Sequence, residues 1–134
     1  MAFLFEVDEA GGVTLTFSGW DRAMTMRRRV SVAPHQIERA LTATRGPLEQ
    51  MVEHRVVGRG SHGGHLEPNR LRVGSMLARG EDGVHYWAVG SGTSNDPLLV
   101  LDLREHDFAR LVVSVDGDPS VVAAAITQLI ADGR

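Results

Sequence analysis

The sequence predicts a mainly β domain closed by one C-terminal helix, and three observations carry that prediction. Phe3, Phe5 and Val7 alternate with Leu4 and Glu6 before Ala10-Gly11-Gly12, and Val13, Leu15 and Phe17 alternate with Thr14 and Thr16 after it. Period two on both sides of a glycine turn is the pattern of a β-hairpin. Two apolar runs, Leu98 to Leu103 and Arg110 to Val115, flank a polar turn near the end of the chain. Asp116-Gly117-Asp118-Pro119 then leads into Ser120 to Ala131, where the apolar spacing turns helical.

The remaining elements follow in chain order. Ser18 is placed to cap a short helical turn over Trp20 to Met26. Arg28, Val30 and Val32 alternate with Arg27, Arg29 and Ser31, which predicts a third strand. In His35 to Thr44, Ile37, Ala40, Leu41 and Thr44 sit at helical spacing and Pro34 suits a helix start. Periodicity leans towards a helix there, and a turn at Pro34 to Ile37 followed by a strand fits nearly as well. Arg45-Gly46-Pro47 reads as a break and Met51 to Val57 as a short strand. Gly58 to His65 is too glycine-rich for a regular element. Leu71, Val73 and Leu77 mark another strand, Asp82-Gly83 a primed turn, and Val84 to Val89 a strand carrying Tyr86 and Trp87. Gly90 to Pro97 reads as a second loop. In the final helix Val122, Ile126, Leu129 and Ile130 form one stripe, Asp118 is the N-cap, Pro119 the first helical residue and Gly133 the stop. No charged residue lies between Pro119 and Ala131, so this helix must be well covered.

Composition narrows the function classes. The 134 residues form one expected domain, 1–134, with 43% hydrophobic and 23% charged residues, enough for a real core. A net charge of −3 gives no general attraction to nucleic acid or an anionic membrane. Aromatic residues at 5% are too few for a base-stacking platform, so Trp20 and Trp87 read as packing residues. The absence of cysteine removes disulfides and thiolate metal sites and fits a reducing compartment, so a cytoplasmic location is expected. The first residues have neither a basic region nor a long apolar run, so no signal peptide is expected. No segment reaches the roughly 20 apolar residues that span a bilayer. All fourteen basic residues are arginine, as expected where a GC-rich genome favours arginine codons over lysine codons.

Several segments together resemble a family of small bacterial proteins with a pleckstrin-homology-like fold, frequent in actinobacteria and firmicutes. They are Phe17-Ser18-Gly19-Trp20, the basic strand Arg27 to Val32 before Ala33-Pro34, Leu71-Arg72-Val73-Gly74, His85-Tyr86-Trp87-Ala88-Val89, and the block from Leu99 to Ile126. The resemblance implies a strongly bent, partly closed antiparallel barrel of about seven strands capped by the C-terminal helix. It also favours Pro34 to Ile37 as turn and Glu38 to Thr44 as strand. Relatives often carry a compact Arg-Ala-Pro-Gly-Thr-like loop where this chain has Val57 to Pro68. The family brings no catalytic residues to transfer, and a fold alone does not supply a function.

Three groups of side chains are candidate sites. His62 and His65 flank two glycines, and with His54 or Glu67 as a third ligand they would suit a metal ion. A solvated flexible loop is the weightier reading, because no helical pair orients the two imidazoles. Arg27 and Arg29 fall on one face of a strand, where two guanidiniums suit a phosphate or an acidic peptide. An ordinary charged outer face is the weightier reading there. Asp102, Arg104, Glu105, His106 and Asp107 place acids beside a histidine, but neighbours on a turn point in different directions, and a polar hairpin tip explains them better. No Gly-x-Ser-x-Gly elbow supports a nucleophilic triad. Gly58 to Gly63 matches Gly-x-Gly-x-x-Gly without the strand-and-helix context of a dinucleotide fingerprint.

The sequence therefore leads to a non-enzymatic binding or interaction module without a cofactor. Its expected partner is a protein or peptide, with Arg27, Arg29, Arg59, His62 and His65 as the binding candidates. Recognition is expected at an open barrel edge or at a loop rim formed by Arg59 to His65 and Ser91 to Asn95. An exposed strand edge offers strand addition or self-association. The alternatives are a metal protein or metal-dependent enzyme centred on His62 and His65, and anionic-lipid binding through Arg27 and Arg29.

Overall fold

A computed structural model describes residues 3–17, 29–59, 72–78 and 83–133, with backbone alone for 53–59, 72–73 and 78. The described chain is mainly β with a C-terminal helix. Its nine strands are β1 (Phe3–Val7), β2 (Val13–Phe17), β3 (Arg29–Val32), β4 (Ile37–Thr44), β5 (Val52–Arg59), β6 (Arg72–Ala78), β7 (His85–Val89), β8 (Pro97–Leu103) and β9 (Arg110–Val113). Two α-helices accompany them, α1 (Arg45–Met51) and α2 (Pro119–Asp132), with a 3-10 turn at Pro34–Gln36. Among the described residues no helix is long and apolar enough to cross a membrane.

The strands form two sheets rather than a closed barrel. One has the order β1-β2-β3, the other β4-β8-β9-β7-β6-β5. All pairs are antiparallel except β7 with β9. The exception follows from connectivity. β7 and β8 run in opposite directions, and β9 turns back from β8 into the space between them, so it must run with β7.

The six-stranded sheet is strongly curled. Its edge strands β4 and β5 are consecutive in the chain and joined only by α1. Seven helical residues advance the chain by about 10 Å. Six strands laid flat would hold their edges about 24 Å apart. The sheet must roll for both to hold.

Each face of the curled sheet carries its own core. On the concave face Met76, Trp87, Val89, Leu98, Val100 and Val112 pack together under Leu48 of α1. On the convex face Tyr86, Ala88, Leu99, Leu101, Leu111 and Val113 meet Leu15, Phe17, Val30 and Val32 of the three-stranded sheet and Ala123 and Ile126 of α2. Alternation along β8 makes the division visible, with Leu98 and Val100 on one face and Leu99, Leu101 and Leu103 on the other.

Local sequence explains most boundaries. Asp118 accepts the Ser120 backbone N–H at 2.9 Å and Pro119 takes the first helical position, so α2 starts where the cap and the proline require. At the first hairpin the Asp8 carboxylate accepts the backbone N–H groups of Ala10 and Gly12, and Gly11 sits at φ +95°. A Cβ on Gly11 would lie 2.8 Å from Ile130 Cγ1, so glycine is required there both for the turn and for the helix packed on it. The segment after Pro34 is turn and strand, not helix. Its apolar side chains meet β8 on one side and α2 on another, and that packing outweighs the helical spacing. Arg45-Gly46-Pro47 opens α1 instead of breaking the chain, because Pro47 lies in the first helical turn, where its missing N–H costs no hydrogen bond. The strand expected over Met51 to Val57 begins at Val52 and continues to Arg59. The helical turn expected over Trp20 to Met26 lies outside the described residues.

Ile126 is fully buried in the core that α2 shares with both sheets, whereas Val121 on the same helix is 64% exposed. Ile126→Ala is expected to lower stability by about 2–5 kcal/mol and Val121→Ala by less than about 0.5 kcal/mol. Equilibrium urea denaturation of both variants checks this.

Candidate functional site

The structure describes few of the side chains that sequence reasoning singled out. Arg27, His62 and His65 lie outside the described residues. Arg59 ends β5, where only the backbone is described. Arg29 opens β3, is exposed, and stands opposite Thr16 of β2. Among the described residues no group of three or more His, Asp or Glu side chains is placed to hold a metal ion.

Three polar assemblies are structural in their geometry. The first fixes the 90–96 loop, one of the two segments expected to form a rim. Arg45 is 1% exposed. Its Nε donates to Glu49 Oε1 at 3.0 Å and its Nη1 to the Gly90 carbonyl at 2.5 Å. Its own backbone N–H donates to the Asp96 carbonyl. Within the loop the Asp96 carboxylate accepts the Thr93 N–H and hydroxyl. Those bonds hold its carboxyl below the usual range, with a smaller contribution from the Arg45 charge. Gly92 is needed here because a Cβ would collide with the Asp96 carboxylate. The loop is thus tied to the N-terminus of α1.

The second assembly straps three strands. Asp102 of β8 accepts Arg39 Nε of β4 at 2.5 Å and Arg110 Nε of β9 at 2.7 Å. Burial raises its carboxyl, and the hydrogen bonds from Arg39 and Arg110 outweigh burial, so the net shift is downward. In the third, His106 Nε2 lies 2.8 Å from the Ser31 carbonyl and Nδ1 accepts the Phe108 N–H at 3.1 Å. Both ring nitrogens are engaged in joining the β8–β9 turn to β3. Asp102 and His106, neighbours in sequence, therefore belong to different assemblies, and the cluster from Asp102 to Asp107 forms no acid–base pair.

A groove runs along β1, with a volume of about 710 Å³. Phe3, Phe5 and Val7 line one wall. Ser114, Val115 and Asp116, which follow β9, line the other with Val122 of α2. The size falls within the range of about 300–1,000 Å³ typical of ligand clefts. Asp116 is the one titratable side chain among its described lining residues, and the rest of that lining is mostly apolar.

Backbone polarity sharpens this site. The Asp8 N–H donates to the Gly12 carbonyl across the hairpin, and the register continues Glu6 opposite Thr14 and Leu4 opposite Thr16. Leu4, Glu6 and Asp8 therefore direct their backbone groups to β2. By strand alternation Phe3, Phe5 and Val7 direct theirs away from it. Among the described residues no strand pairs with β1 on that side. Leu4 is 57% exposed, and with Val121 it makes up the exposed large hydrophobics of the described chain. Leu4 is itself among the residues that line the groove, whereas Val121 is not. Sequence reasoning named an open edge without locating it. The available signal was Leu4, an apolar residue in the solvent-facing phase of an alternating strand.

Comparison with protein-family models, curated proteins and solved structures gives no match for this chain.

Two predictions follow from the polar assemblies. Removing Arg45 leaves the largely covered Glu49 carboxylate beside an empty guanidinium site, so Arg45→Ala is expected to cost about 3–5 kcal/mol. Arg45→Lys is expected to rescue only part of that loss, because an ammonium group cannot reproduce the fork that reaches Glu49 and Gly90 together. Denaturant titration of both variants reads the difference. For Asp102, the folded-state pKa lies below the unfolded value. Its stabilising contribution is therefore complete well above pH ~3.9 and is lost as pH falls through the lower, folded value. The stability gap between wild type and Asp102→Asn should accordingly be wide at neutral pH and shrink in acid, as pH-dependent urea melts will show.

Proposed function

We propose that this chain is a cytoplasmic, non-enzymatic interaction module of the pleckstrin-homology-like kind, and that it recognises an extended protein segment by strand addition at β1. The observation that carries the reading is the side of β1 that no described strand pairs, where the backbone groups of Phe3, Phe5 and Val7 lie along an apolar groove. Strand addition uses such an edge directly. Main-chain hydrogen bonds supply affinity, and alternate side chains entering the groove supply selectivity.

Support for the family kinship is architectural. A first hairpin, the turn and strand after Pro34, and a capped C-terminal helix packed on β4 and β8 accord with it. The nine described strands in two sheets and the parallel β7–β9 pair are departures from the expected antiparallel barrel of about seven.

Amide hydrogen exchange tests the reading with a defined probe, the capped peptide acetyl-Thr-Val-Thr-Val-Thr-Val-Thr-amide. In protein diluted enough to exclude self-contact, Leu4 and Glu6 should exchange slowly, because their N–H groups bond to β2, and Phe3, Phe5 and Val7 should exchange fast. Adding the peptide should slow the second set. Val7→Pro should abolish that slowing while leaving stability within about 1 kcal/mol, since it removes an outward-facing donor on an edge strand. Unchanged exchange at Phe3, Phe5 and Val7 under saturating peptide would refute strand addition at this edge.

A further inference from the structure

We propose that Asp116 is a site of spontaneous main-chain modification, where cyclisation onto the Gly117 nitrogen converts aspartate to isoaspartate in the folded protein. The proposal is independent of strand addition at β1.

An aspartate followed by glycine is the pair most open to this reaction, because no Cβ shields the attacking nitrogen. Three such pairs occur, Asp82-Gly83, Asp116-Gly117 and Asp132-Gly133. Asp82 lies outside the described residues. The structure separates the other two. At Asp132 the Gly133 N–H donates to the Leu129 carbonyl at 3.1 Å, and the Asp132 carboxylate accepts from Gln128 Nε2 at 2.8 Å. Both reacting groups are thus engaged in the last turn of α2. At Asp116 neither is. Among the described residues no group accepts the Gly117 N–H and none donates to the Asp116 carboxylate. Both residues are exposed. Gly117 sits at φ +83°, and a Cβ built on it would meet nothing within 4 Å, so the chain has room to turn there.

The remaining described Asp and Asn residues are held back by their surroundings. Asp96 and Asp118 precede proline, which has no N–H. After Asn95 the Asp96 N–H donates to the Thr93 carbonyl, and after Asp102 the Leu103 N–H donates to the Ala109 carbonyl. After Asp107 the Phe108 N–H donates to His106 Nδ1. The Asp8 carboxylate accepts the Ala10 and Gly12 N–H groups. Asp116 is the described position where the carboxyl and the next nitrogen are unengaged together.

The reaction balances without a co-reactant other than water. The Gly117 nitrogen bonds to Asp116 Cγ. The carboxyl loses its hydroxyl and the nitrogen its proton, so one water leaves and a five-membered succinimide forms. Water then adds to either ring carbonyl. Opening at Cγ restores aspartate. Opening at the main-chain carbonyl leaves the chain running through Cβ and Cγ, which is isoaspartate. The net mass and charge are unchanged, but the link between β9 and α2 gains a methylene and the carboxylate moves. Asp116 lines the groove wall with Ser114 and Val115, so the change alters that wall.

Ageing of the intact chain tests the site. Folded protein and protein unfolded in urea are incubated in parallel at the same temperature. Trypsin then releases residues 111–134, which carry Asp116 and Asp132 in one peptide. Endoproteinase Asp-N, which cuts before aspartate and not before isoaspartate, locates the change, and chromatography separates the isomers of equal mass. In the folded protein Asp116 should convert at least about threefold faster than Asp132, whose hydrogen bonds must first open. In urea, where both pairs are unprotected, the two rates should come within about twofold of each other. Asp116→Glu keeps the charge and requires a six-membered ring, so conversion at this position should be lost while circular dichroism and the urea midpoint stay as in the wild type. Equal conversion at Asp116 and Asp132 in the folded protein would overturn the structural selection. Conversion at Asp116 in urea but not in the folded chain would overturn the site itself.

Discussion

The curl of the six-stranded sheet is the constraint on which the rest of the structure depends. It arises because β4 and β5, the two edges, are joined by a helix of only seven residues. A link that short cannot reach across a flat sheet. Curling creates a concave face, and α1 covers it with Leu48. The same helix starts with Arg45, whose guanidinium ties Glu49 and the Gly90 carbonyl together. A charged side chain this deeply buried is weak evidence for added stability, since its desolvation offsets most of the attraction. Its geometric effect is clearer, because it sets where the β7–β8 loop leaves the sheet.

Once the concave face is filled by the sheet's own side chains, the convex face needs a separate cover. The three-stranded sheet and α2 provide it together. Leu15, Phe17, Val30 and Val32 come from one, Ala123 and Ile126 from the other. These two covers meet where Gly11 lies against Ile130. Further along, β1 and the first turns of α2 stand apart, and the groove opens between them. The candidate site is thus a gap left by covering one curved surface with two unlike elements.

Much of this was legible in the sequence wherever local chemistry decided the outcome. The first hairpin, the strands ending at Val89 and Leu103, and the start of α2 follow from alternation, turn residues and an Asp-Pro cap. The segment after Pro34 was not decided by its own periodicity, because Ile37, Ala40 and Leu41 satisfy helical spacing and strand packing alike, and β8 and α2 select between them. Arg45 looked like part of a break, and nothing local reveals that its side chain is buried against Glu49 and Gly90, residues brought to it by the curl. The parallel β7–β9 pair is a property of topology rather than of either strand's residues. The site was legible in kind, as an open edge, and not in place. The polar residues that drew attention mostly fall outside the described chain or, like Asp102 and His106, are engaged in holding strands together.

Edge strands expose unpaired backbone, and proteins ordinarily guard them with charge, proline, bulges or a covering element. The edges here differ in that respect. β4 has a register irregularity between Ile37 and Arg39, carries exposed Glu38 and Arg39, and lies under α2. β3 is four residues long and exposes Arg29 and Ser31. β1 has neither bulge nor proline, and its charged residue, Glu6, lies in the phase that bonds to β2. The outward phase is Phe3, Phe5 and Val7, three apolar side chains beside an apolar groove. A strand guarded so lightly would be a liability if it met nothing. The contrast with the other described edges is what supports the proposed binding role of the side of β1 that no described strand pairs.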